Sequence, residues 1–288
     1  MLKSSIMFKL TLYKIFTDLG YFVKSPYKLS RKIQVLTTWL KILFKFFFIS
    51  NFIKIKTEKI FDFKVQAFDY ETIKFLFEEI FIRNEYFFES KDKSPVIFDC
   101  GSNIGFATIY FKWVYPNSTI YAFEPDKNTF KILEKNIKNN DLNNVFLYNK
   151  AISNTNGKLN FFTDSNRPGS LIMSSKIERG LITKNSVECI SLTSFIKDKK
   201  ISKIDFLKMD IEGSEKEAIN DLNQKNILKI VDKMCIEYHH KVGNEKSNLG
   251  SFLKVFESNN FEYQIEAMCI PISSKNVFQD VIIYLYRN

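Results

Sequence analysis

Histidine is almost missing from this chain of 288 residues: there are two, adjacent at His239 and His240. The four cysteines (Cys100, Cys189, Cys235, Cys269) are scattered, with no Cys-x-x-Cys pair. These two scarcities argue against a zinc centre built from Cys and His. Cys100, Cys189 and Cys235 fall in apolar runs that read as strands, which makes them buried free thiols in a reducing compartment. No apolar run reaches the ~20 residues needed to span a bilayer. Lys9 and Lys14 interrupt the early apolar residues and no small-residue cleavage site follows, so a cleavable leader is not expected. Glycine is also scarce, nine in all, and much of the bias toward Phe, Ile, Lys and Asn reads as low-GC coding.

What is present is enough apolar residue, 45%, to bury a core, with 26% charged. The length suits one large α/β domain plus an extension. The net charge of +10 is unevenly placed: residues 1–60 hold twelve Lys/Arg against two acids, and the remainder is balanced. Within that segment, Trp39–Ile49 is strongly apolar but carries Lys41 and Lys45, four apart and on one face of a helix. Such a helix can lie in a membrane interface or pack on the rest of the protein with two lysines in water. The basic residues are spread through apolar sequence and not gathered in a polar groove, so a nucleic-acid partner is not expected.

Val96-Ile97-Phe98-Asp99-Cys100-Gly101-Ser102-Asn103-Ile104-Gly105 organises the rest. An apolar strand runs into a turn with two glycines and then into a helix. That is a nucleotide-binding device, in which the glycines admit the ligand and the helix start offers free N–H groups. Thr108 stands where a dinucleotide fingerprint needs its third glycine, which disfavours an NAD-dependent oxidoreductase. From here strands and helices alternate. Strands are predicted at 96–100, 119–124, 145–152, 204–210 and 233–238, with helices at 104–115, about 126–139 and from about 214. An inserted β segment lies at 158–163 and 187–191, a short helix at 192–196, a helix at about 249–258 and a closing hairpin at 261–267 with 277–286. This pattern predicts a mostly parallel sheet with helices on both faces. Three parts are expected: a basic, aromatic, helical extension (1–60), a lid segment covering the cofactor cleft (61–95) and a nucleotide-binding domain (96–288).

Glu124 ends the second strand, 23 residues after Gly101, where an acid binds ribose hydroxyls in such folds. Asp126 beside it can cap the next helix. Lys208-Met209-Asp210-Ile211-Glu212-Gly213-Ser214-Glu215 sets three acids at the end of a strand. Asp210 is the first candidate general base and His239, placed just past the fifth strand, the second. Glu237 can orient His239 or bind the acceptor. Glu215 reads as a helix-start residue that satisfies backbone N–H groups. Two carboxylates could hold Mg²⁺, but no spacing demands it and no metal is expected.

The spacing Asp99-x-Gly101-x-Asn103-x-Gly105 resembles motif I of class I S-adenosylmethionine-dependent methyltransferases. Together with Phe123-Glu124-Pro125, Lys208–Glu215 and Ile236-Glu237-Tyr238-His239, it closely resembles the FkbM family of methyltransferases, over roughly Phe87 to Tyr286. Cys100 and Ser102 stand where Val and Ala are frequent in the family. The resemblance implies a Rossmann-like fold with a seven-stranded, mostly parallel sheet and an antiparallel last strand. It implies S-adenosylmethionine as cofactor, held by Asp99, Gly101, Asn103, Gly105 and Glu124, with Ala151 near the adenine. It implies methylation of a hydroxyl, on a sugar, glycan or glycolipid. Arg167–Ser170 and the N-terminal segment are candidates for substrate contacts. The protein is expected in the cytoplasm, with a peripheral place on the cytoplasmic membrane face as a hypothesis for residues 1–60. The other readings are an RNA methyltransferase using the basic extension and a non-catalytic cofactor-binding scaffold at a membrane. The sequence has no Asn/Asp-Pro-Pro-aromatic motif for methylating base amines.

Overall fold

The computed structural model describes residues 14–163, 183–240, 246, 248–267 and 279–287. The chain forms two compact units, residues 1–87 and 88–288.

In the first unit, helix α1 covers 14–24 and α2 Leu29–Phe48. A hairpin of β1 (Thr57–Ile60) and β2 (Phe63–Gln66) follows, turning at Phe61 in a left-handed conformation (φ 54°). Helix α3 (Tyr70–Phe77) is capped by the Asp69 carboxylate, which accepts from Thr72 N, and runs into a π-helical turn at Glu78–Ile82. The α2 face with Val35, Trp39, Ile42 and Leu43 is buried. Trp39 donates its indole N–H to Glu78 at 3.2 Å. Lys41 and Lys45 do not face water as an unpaired polar stripe. Both reach the buried Glu58, at 3.1 and 2.8 Å, where the Tyr70 hydroxyl also donates. Burial would raise the Glu58 carboxyl, but the bonds from Lys45, Tyr70 and Lys41 hold it below its ordinary value. The expected lid segment divides: 61–87 fold with the N-terminal helices, and 88–95 belong to the second unit.

The second unit is built on a seven-stranded sheet. Its strands are β3 (Val96–Cys100), β4 (Thr119–Phe123), β5 (Val145–Tyr148), β9 (Ile204–Met209), β10 (Val231–His240), β11 (Glu262–Ala267) and β12 (Gln279–Tyr286), in the order β11-β12-β10-β9-β3-β4-β5. Neighbours from β10 to β5 pair in parallel, and β12 runs antiparallel to both β10 and β11. This is the Rossmann-like class I methyltransferase arrangement expected from the sequence. The connecting helices are α4 (Phe106–Val114), α5 (Lys127–Lys138), α6 (Leu192–Asp198), α7 (Glu215–Gln224) and α8 (Leu249–Glu257). Asp126 caps α5 through Asn128 N and Thr129 N, and Ser191 caps α6 through Ser194 N. Strand β9 is buried at every position, as a central parallel strand with both faces covered must be.

Two differences from the expected boundaries bear on the site. The stretch 145–152 is not one strand. After Tyr148 the Asn149 amide donates to the Glu124 and Pro125 carbonyls, which turns the chain out of the main sheet. Strand β6 (Ala151–Ser153) then joins β8 (Thr183–Ser191) and β7 (Gly157–Thr163) in a separate three-stranded sheet, order β6-β8-β7. Strand β10 runs on to His240, because β12 pairs with it as far as Gln279, so His239 lies within the strand. Cys100, Cys189 and Cys235 are buried free thiols. Arg167–Ser170 and Cys269 lie outside the described residues.

Candidate active site

Strand order reverses direction between β3 and β9, and open α/β sheets bind ligands at the carboxyl ends flanking that switch point. Both conspicuous sequence stretches end there. The turn after β3 is anchored by Gly101 N and Ser102 N, which both donate to the Phe123 carbonyl (3.0 and 2.9 Å). Gly101 has φ +82°, and a Cβ on it would lie 1.7 Å from the Asp210 carbonyl oxygen. No other residue type lets the two strand ends approach this closely. Asn103 is left-handed (φ 50°), and Gly105 (φ +89°) caps α4 where a Cβ would sit 2.7 Å from Leu133. The turn therefore keeps its backbone bare, as a loop wrapping a ligand requires.

Asp99 is fully buried. Thr108 donates to its Oδ2 at 2.6 Å, while Oδ1 has no hydrogen-bond donor and faces Lys208 Nζ at 3.8 Å. Lys208, register partner of Asp99, also donates to the Gly101 carbonyl at 2.5 Å and stands 3.5 Å from Asp210 Oδ2. Burial raises the Asp99 carboxyl above its usual value, and Lys208 and Thr108 offset only part of that. Lys208 thus holds together the loop and both strand ends. It was visible in the sequence only as a lysine beside acids; the missed signal is its place on the same strand face as Asp210, two residues before it.

Glu124 is buried at the end of β4, its carboxylate accepting from Asn103 N (3.0 Å) and Asp126 N (2.8 Å). Burial pushes it up to about 8. The Asp126 side chain supplies the helix cap, and Glu124 ties the glycine turn to the backbone at Asp126. Ala151 is buried at the start of β6, just after the chain leaves the main sheet.

The acids after β9 surround one imidazole. Glu215, buried at the start of α7, accepts from Gly213 N (2.9 Å) and meets His239 Nδ1 at 2.9 Å. His239 Nε2 faces Glu212 at 3.2 Å, Asp280 at 3.8 Å and Asp210 at 4.0 Å. Burial favours neutral His239, but Glu215 and Glu212 outweigh it and raise the imidazole well above its ordinary value. Burial also works against the Glu215 carboxylate, yet His239 and the Gly213 N–H keep it below its usual value. Carboxylates thus engage both imidazole nitrogens, Glu215 at Nδ1 and Glu212 at Nε2. Asp210 is partly exposed at the rim, as is Glu212, and Asp280 is more exposed than either. Among the described residues, Asp210, Glu212 and His239 also bring ligand atoms within 4.8 Å of one another, as do Glu237, His239 and Asp280.

The sequence pattern of the Methyltransferase FkbM domain matches residues 99–263, more than half of the chain. The protein belongs to the FkbM methyltransferase family. Its relatives include methyltransferase sdnD of Sordaria araneosa (28% identical, covering 53% of this chain and 70% of that protein). Methyltransferase 1 of Beauveria bassiana is 25% identical over 67% of this chain and 83% of its own length. The hexuronic acid methyltransferase AglP of Haloferax volcanii is 23% identical over 52% of this chain and 59% of its own length. A solved structure, methyltransferase FkbM from Methylobacillus flagellatus, aligns with a TM-score of 0.46 at 17% identity, covering 72% of this chain and 47% of that one. Family and fold make this FkbM protein a methyltransferase of the class that uses S-adenosylmethionine.

Proposed function

We propose that this FkbM protein methylates a hydroxyl of a sugar, glycan or glycolipid in the cytoplasm. The observation that carries the reading is Asp210: a partly exposed carboxylate at the sheet's switch point, with its backbone carbonyl against Gly101 and its oxygens flanked by Lys208 and His239. The naming of one relative as a hexuronic acid methyltransferase favours a carbohydrate acceptor.

The cradle fits the cofactor. Gly101 and Gly105 have no room for a side chain, and Glu124 already gathers the loop backbone through Asn103 N. Asp99, Gly101, Asn103 and Gly105 would hold its amino-acid end, Glu124 its ribose and Ala151 the adenine side. Bound S-adenosylmethionine supplies a methyl group activated on a sulfonium. Asp210 takes the proton from the acceptor hydroxyl, which is a poor nucleophile until that proton leaves. Lys208 and His239 flank the two Asp210 oxygens at 3.5 and 4.0 Å, and Glu212 and Glu215 hold His239. Glu237, on the same face of β10 as His239, is assigned to the acceptor. Holding acceptor and methyl donor in line supplies much of the remaining acceleration.

The test is transfer of radiolabelled methyl from S-adenosylmethionine to hexuronate-containing oligosaccharides, with RNA as comparison. Asp210→Asn should lower kcat by about 10²–10⁴-fold while S-adenosylhomocysteine binds as before. Labelling of RNA alone, or full turnover by Asp210→Asn, would refute the assignment.

A further inference from the structure

The first unit exposes apolar side chains where a water-soluble surface would be polar. Of fifteen large hydrophobic residues exposed among the described residues, thirteen lie within 14–87 and only Phe146 and Ile265 in the larger second unit. Helix α2 carries six of the thirteen. Its inner face is buried, its lysine seam is drawn onto Glu58, and a second apolar stripe faces outward through Leu29, Ile33, Leu40, Phe44 and Phe48. Their spacing of four or seven residues keeps them on one face. The stripe continues past the helix end, where Phe52 N and Ile53 N both donate to the Ile49 carbonyl and hold Phe52 outward at 85% exposure. Lys28 borders one end, Lys54 and Lys56 the other, and all three are exposed.

We propose that this stripe is a membrane-docking surface, with α2 lying along an anionic lipid bilayer. No helix among the described residues is long and apolar enough to cross a membrane, so the surface rests on lipid and does not span it. Aromatic side chains enter the headgroup boundary and the bracketing lysines meet lipid phosphates. Charge decides between lipid and a second copy of the chain. Residues 1–60 carry the whole +10 excess; a twin copy would set that charge against itself, whereas an anionic leaflet complements it. The inference concerns the first unit only and stands apart from the proposed chemistry.

Co-sedimentation of the full chain with vesicles of phosphatidylglycerol and phosphatidylcholine, against phosphatidylcholine alone, tests it. The wild type should bind the anionic vesicles, and high salt should weaken the binding. Phe48→Ser and Phe52→Ser should each cost about tenfold or more in partitioning, and Lys54→Gln or Lys56→Gln about fivefold at low salt. These residues are exposed, so unchanged thermal unfolding and S-adenosylhomocysteine binding in the same samples identify the losses as surface effects. A wild type that ignores anionic vesicles, or variants that bind them equally, overturns the proposal. So does a stable dimer in light scattering that Phe48→Ser/Phe52→Ser disperses, which would assign the stripe to a second copy.

Discussion

Replacing Lys208 with methionine removes the charge that faces Asp99 and Asp210 and keeps most of the side-chain volume. The 3.8 Å separation from Asp99 corresponds to about 4 kcal/mol of attraction at the effective dielectric of about 20 that suits protein sites. Breaking a buried pair by removing one partner costs about 3–5 kcal/mol, because the other charge stays buried. We expect a loss in that range for Lys208→Met at pH 8. The loss should shrink at lower pH. The Asp99 carboxyl is raised above its unfolded value, so its ionised form costs stability, and protonating it removes that cost. Asp99→Asn placed on Lys208→Met should return more than half of the loss, although the same change alone destabilises. Urea unfolding reads this cleanly, since the two tryptophans divide between the units and Trp39→Phe leaves Trp113 to report on the second. A Lys208→Met protein within about 1 kcal/mol of wild type, about the median for an exposed pair, would refute the argument. So would a double variant no more stable than the single one.

Three further outcomes follow from the site. Gly101→Ala should abolish S-adenosylhomocysteine binding, since its Cβ would fall 1.7 Å from the Asp210 carbonyl oxygen; calorimetry showing wild-type affinity would contradict the loop geometry. Glu124 is raised to about 8 from an unfolded value of 4.5, so the folded state keeps a proton that the unfolded state gives up between those values. Its contribution to stability falls by about 1.4 kcal/mol per pH unit in that window; Glu124→Gln should remove this slope in denaturation series, and an unchanged slope would show that Glu124 does not titrate there. The roles assigned to Asp210, Lys208 and His239 need no cation, so methyl transfer should survive EDTA; activity lost to EDTA and restored by Mg²⁺ or Mn²⁺ would put a cation among Asp210, Glu212 and His239 instead.

Local sequence carried the parts of the fold that local physics decides. Val96–Cys100 reads as a buried strand from its apolar run, and Gly101 and Gly105 read as a bare-backbone turn from their spacing. The reason Gly101 must be glycine was not legible, because the obstructing Asp210 carbonyl comes from a strand more than a hundred residues later. Asn149 and Lys150 interrupt an otherwise apolar stretch, yet nothing in the sequence shows that Asn149 bonds back to Glu124 and ends β5. The face shared by Lys41 and Lys45 was correctly placed on one side of a helix, but their common target Glu58 is set by the hairpin. His239 shows the same limit in electrostatics. Its neighbourhood with Glu237 was visible, whereas the carboxylates of Glu212, Glu215 and Asp280 around it are brought there only by the β9–α7 turn and β12.

Calorimetric titration of the full chain with S-adenosylhomocysteine, with NAD as comparison, tests the central claim most directly. Micromolar binding of S-adenosylhomocysteine, none of NAD, and a clear loss of affinity in Glu124→Ala are the predicted results. Folded protein that binds no S-adenosylhomocysteine would contradict the account and leave the Gly101–Gly105 turn as a structural connection.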